Sequence, residues 1–207
     1  MKSGRYADEV MTELGEKVPY GIAQAVTATK ADFSEYRAAF PAWVAEASER
    51  GLANWIHDRL WAHLVKQLDG NDDVNFSDEG PMRQFRVGTR YLFRAKRHSM
   101  TDKISSYPTL TATSFWSQHV GSLFPDMDEV RLSVGYRWDP EIREMEDAVI
   151  SLRDAMDLPV WVVTVRVAPV TGAVELRPVT EDAPELPIIE LISDEDEEDF
   201  GDEMGSE

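Results

Sequence analysis

Apolar residues recur at helical intervals through the first third of the chain and at alternate positions through most of the rest. Leu52, Trp55, Ile56, Leu60, His63 and Leu64 share one helical stripe, which predicts an amphipathic helix over Leu52 to Leu68. Asp69-Gly70-Asn71-Asp72 stops it. A second helix is expected from Phe33 to Arg50, with Gly51 dividing the two. A shorter one is expected around Ala7 to Lys17, interrupted by Pro19 and Gly21.

The period changes to two at Val74 and Phe76. Phe85 to Val87, then Gly88-Thr89, then Arg90 to His98 reads as a hairpin. On its second arm Tyr91, Phe93, Ala95 and Arg97 share one face, and Leu92, Arg94, Lys96 and His98 the other. A helix is expected near Thr111 to Val120, and strands over Val130 to Trp138, Val160 to Ala168 and Val174 to Val179. Glu141 to Ala155 reads as partly helical, with a strand over Val149 to Leu152 as the alternative. Helices first and strands afterwards predict an α+β fold, or a mixed α/β layer, with N-terminal helices on a small, mainly antiparallel sheet. The expected organisation is an extension over residues 1–32, a globular domain over 33–180 and a disordered acidic tail over 181–207.

Composition narrows the chemistry. The chain has 207 residues, is 43% hydrophobic and carries no Cys. Disulfides, thiolate metal sites and Cys nucleophiles are therefore absent. No apolar run approaches the roughly 18 residues that span a bilayer, and the N-terminus has no secretory pattern. A cytoplasmic protein with no membrane partner is expected.

Charge changes the picture more. The net charge is −18, yet all 13 acids from Glu181 onward sit in a stretch without Lys or Arg. Within the body, Arg83, Arg86, Arg90, Arg94, Lys96, Arg97 and Lys103 fall in 21 residues that hold one acid, Asp102. Arg83, Arg86, Arg90, Arg94, Lys96, Arg97 and His98 are therefore the candidate residues for nucleic acid or another anion. Tyr91, Phe93 and Tyr107 among them suit stacking on single strands. The competing reading is a solvated strand face, or one that docks on acids of the same chain.

Gly51-Leu52-Ala53-Asn54-Trp55-Ile56-His57-Asp58-Arg59-Leu60-Trp61 is one of several distinctive phrases. The others are Arg94-Ala95-Lys96-Arg97-His98, Ile104-Ser105-Ser106-Tyr107-Pro108-Thr109 and Gly135-Tyr136-Arg137-Trp138-Asp139. Together they resemble uncharacterised bacterial and phage proteins encoded beside helix-turn-helix repressors and repressor-relieving zinc peptidases. The resemblance spans roughly residues 33–168. It implies a regulatory or mobile-element setting and carries no chemistry.

Catalytic patterns are sparse. The four histidines, His57, His63, His98 and His119, show no H-x-x-x-H pair, so neither a metal nor any other cofactor is expected. His57, Asp58 and Arg59 are consecutive on a helix and point apart. Asp72, Asp73, Asp78 and Glu79 followed by Lys96 follow the order of a restriction-endonuclease-like core. That chemistry needs a carboxylate two residues before the Lys to hold Mg²⁺, and Arg94 stands there. No catalytic residue is assigned.

The tail is more than a charge run. Ile188, Ile189, Leu191 and Ile192 form an apolar anchor ahead of Asp194, Glu195 and Asp196. Such a segment suits a sheet edge or groove with a basic rim; the bland reading is a solubilising tail. The leading expectation is a non-enzymatic regulatory or interaction protein, with a protein partner or nucleic acid on its basic hairpin and an acidic tail that modulates it. The alternatives are a nuclease-like hydrolase and an acidic inhibitor that mimics nucleic acid.

Overall fold

The structure is a computed structural model that describes residues 6–79, 82–104, 109–116, 129–155, 157–167 and 174–179. Helix α1 (Ala7–Leu14) stops at Gly15, whose φ of +66° is a conformation that side chains resist. The interruption expected at Pro19 and Gly21 falls at Gly15 instead, and α2 runs unbroken from Lys17 to Ala39. Pro19 is tolerated because it lies in the first turn, where an N–H has no helical acceptor. Gly21 is where α2 closes on α4: a Cβ there would lie 2.5 Å from Leu68 Cδ2.

Pro41 ends α2, since the residue before a proline is pushed out of the helical region; Phe40 takes φ −134°. Helix α3 (Pro41–Glu46) is one short turn-and-a-half, and α4 spans Glu49–Leu68. Ser48 caps α4, its Oγ accepting from the Gly51 N–H at 3.0 Å. Gly51 therefore sits inside the first turn of α4 rather than between two helices.

Among the described residues seven strands follow: β1 (Val74–Glu79), β2 (Met82–Val87), β3 (Tyr91–Ser99), β4 (Val130–Asp139), β5 (Glu144–Arg153), β6 (Pro159–Val167) and β7 (Val174–Val179). They lie side by side in chain order, antiparallel throughout except for the parallel pair β3–β4. A parallel neighbour needs a crossover, and the connection carries α5 (Leu110–Trp116). Phe115 and Trp116 of α5 bury with Leu92 and Ile104, on the face of β3 away from α1–α4. The fold is α+β, as the order of patterns implied.

Helices α2 and α4 cover the other face, α2 over β4–β6 and α4 over β3. Phe85, Phe93, Leu132, Val134, Ile150 and Val163 form the core beneath them. Val10, Leu14, Val18, Ile22 and Val26 bury in the same core. The expected N-terminal extension over 1–32 thus belongs, from Tyr6 on, to the packed body. Helix is absent from the Glu144–Arg153 stretch, where β5 pairs on both sides. A bulge between Tyr136 and Trp138 of β4 sets Met145 and Ala148, three apart, toward the same core. That offset hides the two-residue period in the sequence. The tail over 181–207 lies outside the described residues.

Candidate anion-binding site

Strand β2 accompanies β3 only as far as the Gln84–Arg94 pair. Beyond it, the edge of β3 from Ala95 to Arg97 faces α4. The other side of this gap is the bridge from His98 to Ile104. A pocket of about 160 Å³ opens there, lined by Ala53, Asn54, His57 and Leu60 of α4, by Ala95, Lys96 and Arg97 of β3, and by Tyr136 of β4. Asn54, His57 and the neighbouring Ala53 reach it because positions three apart share a helix face.

Lys96, Arg97, His57 and Tyr136 are the polar and charged residues of this lining besides Asn54. Burial, and then the charge of Arg94, pulls the Lys96 ammonium below the usual lysine range. Burial also lowers the His57 pKa, helped by Arg83 and Lys96, so its imidazole is neutral near pH 7. His57 Nδ1 lies 3.3 Å from Arg83 Nη1 and accepts from it, which places the ring proton on Nε2. The Tyr136 hydroxyl is buried and meets no hydrogen-bond partner among the described residues. Burial raises its pKa, so it stays an O–H donor. Arg97 is held by Glu49, Nη1 to Oε2 at 3.1 Å, and Glu49 also takes Trp138 Nε1 at 3.1 Å.

The basic stripe is split by the two faces of the sheet. Arg83, Arg90 and Arg97 reach the helical layer, where they pair with Asp58, Glu13 and Glu49. Arg86 binds Glu129, which Arg131 also holds at 3.0 Å. Burial pushes the Glu129 carboxyl up, but the hydrogen bonds from both arginines outweigh it and hold it low. Arg94 lies over the Phe115 ring at 3.7 Å. His98 is fully buried, its Nε2 3.2 Å from Ser133 Oγ and 3.3 Å from Ser151 Oγ. Of the seven candidates, Lys96 and Arg97 line the pocket and Arg83 stands behind it.

His57 and Tyr136 were not singled out as anion ligands from sequence. Tyr136 had a signal: it continues the inward series Val130, Leu132, Val134, whose alternation points it toward α4. The seven tail candidates, Ile188, Ile189, Leu191, Ile192, Asp194, Glu195 and Asp196, lie outside the described residues.

Of the residues in the nuclease order, Asp72 is in the turn after α4, and Asp78 and Glu79 are on β1, with β2 between that strand and the one bearing Lys96. Among the described residues no three His, Asp or Glu side chains gather as a metal site. No helix there is long and apolar enough to cross a membrane. No protein-family model, curated protein or solved structure matches the chain.

Proposed function

We propose that this chain is a non-enzymatic, cytoplasmic regulatory or interaction protein that takes an anionic group of a partner into the pocket at the open edge of β3. The supporting observation is the small recess at the edge of β3 lined by Lys96, Arg97 and Tyr136, whose hydroxyl meets no hydrogen-bond partner among the described residues. Phosphate and carboxylate groups fit this donor set. Arg83, Arg86, Arg90 and Arg97 already meet acids of the same chain, which favours one anchored anionic group over a long phosphate track. The resemblance to phage and bacterial proteins adds a regulatory setting to this reading. The carboxylates from Glu181 to Glu207 act as an internal competitor for the site.

The test is binding of a labelled single-stranded oligonucleotide, and separately of inorganic polyphosphate, followed by anisotropy. Removing residues 181–207 should tighten binding by roughly tenfold or more at low salt, with a steep salt dependence. Lys96→Ala in the shortened chain should abolish the gain. Absence of binding by the shortened chain at low salt overturns the reading, and binding untouched by Lys96→Ala removes the pocket from it.

A further inference from the structure

At the corner where α2, α3 and the β4–β5 turn meet, a ladder of rings climbs out of the core. Phe33 touches Trp138 and Trp55, each with centroids 5.9 Å apart. Trp55 stacks on Tyr36 at 4.7 Å, and Tyr36 meets Phe40 at 5.8 Å. Phe40 stacks on Trp43 at 4.5 Å. The outer rungs stand in water: Trp43 is 61% exposed and Phe40 42%, and Ile142 of the β4–β5 turn is 57% exposed.

The corner is braced. Arg143 of the turn donates to the carbonyls of Val44 and Ala47 at 2.9 and 2.6 Å. Arg37 of α2 reaches Glu144 at 3.2 Å. Both guanidinium groups are thereby turned onto the protein itself. Glu35, Glu46 and Glu141 are exposed in these segments, against Arg50 as the exposed cation among residues 33–50 and 139–144, while Glu49 is taken up by Arg97, Arg143 and Trp138. An exposed tryptophan held by stacked neighbours has little freedom left to lose when a partner covers it.

We propose that this corner docks a protein segment that combines aliphatic or aromatic side chains with Lys and Arg. Its apolar side covers Trp43, Phe40 and Ile142, and its cations meet the acidic rim. The charge required is opposite to that of the β3-edge pocket, so the two surfaces take different partners.

The probe is a labelled helical peptide of leucine and lysine, with a leucine–glutamate peptide as the charge control, titrated with the full chain at physiological salt. Trp43→Ala should weaken binding of the lysine peptide by roughly tenfold or more, as hot-spot tryptophans do. The double variant Glu46→Lys/Glu141→Lys should do the same, while Lys96→Ala leaves binding unchanged. Equal binding by Trp43→Ala and the parent overturns the proposal, as does equal binding of the two peptides. Sedimentation of the chain alone gives a second check: a dimer dissolved by Trp43→Ala would identify a second copy as the occupant and overturn the proposed partner. Should Trp43→Ala fail to fold, the double charge variant decides.

Discussion

Glycine at position 135 is required by the approach of β4 to β3. A methyl group there would overlap the backbone carbonyl oxygen of Lys96, which sits in the middle of the parallel pair and has nowhere to move. At Gly21 the obstacle is the end of the Leu68 side chain, which can rotate. Gly135→Ala is therefore expected to cost several kcal/mol, in the range of severe overpacking, and Gly21→Ala roughly 1–3 kcal/mol. Urea denaturation of both variants checks the order. A larger loss at Gly21 would show that β4 yields more easily than the α2–α4 contact. Neither requirement is visible locally in the sequence, because Gly135 lies in an otherwise ordinary strand pattern.

At the scale of elements, the hairpin from Ser99 to Ile104 is pinned by one residue. Asp102 adopts φ +57°, tolerated by Asp more readily than by most residues. Its carboxylate grips Arg137 at both oxygens, 2.7 and 2.9 Å, and its carbonyl accepts from Arg153. Arg137 also donates to Thr164 at 2.9 Å, so β3, β4, β5 and β6 are tied beneath the hairpin. Asp102 is buried and Arg137 partly so, with 5% and 12% of the two side chains exposed. Asp102→Asn keeps the shape and removes the charge, leaving Arg137 without its counter-ion. The expected loss is about 3–5 kcal/mol. Amide exchange should accelerate first in the Ser99–Ile104 hairpin; uniform acceleration would mean that the pair serves the whole sheet equally.

Acid stability belongs to the whole molecule. Burial, then Arg153 and Arg137, depress the His98 pKa from 6.5 to about 3. The unfolded chain takes up this proton below about pH 6.5 while the native protein refuses it, so the unfolded state holds more protons throughout the window. Stability is therefore full above that pH and falls as pH drops toward 3, by up to roughly 1.4 kcal/mol per pH unit from this group. His57 shifts in the same direction. The paired carboxylates Asp32 and Glu129 act in the same sense at lower pH. His98→Asn should flatten the stability profile between about pH 6.5 and 5, above the carboxylate range. An unchanged slope in denaturation midpoints would assign the proton uptake elsewhere.

The periodicities of the sequence were enough for the α+β class, for the α4 stripe from Leu52 to Leu64, for the β2–β3 hairpin and for most of the other strands, because each depends on residues close in the chain. They also placed Arg97 and Lys96 on opposite faces of β3, since alternation is a property of the strand itself. Tertiary structure alone decided the rest. The β5 strand exists because β4 and β6 offer it partners on both sides, and the bulge opposite Tyr136 scrambles its pattern. The charge density between Arg83 and Lys103 was legible, but which cations meet acids depends on Glu13, Glu49, Asp58 and Glu129, all distant in sequence. The pocket, too, depends on where the described pairing of β2 with β3 stops and on α4 lying against β3, an event of packing that no local pattern records.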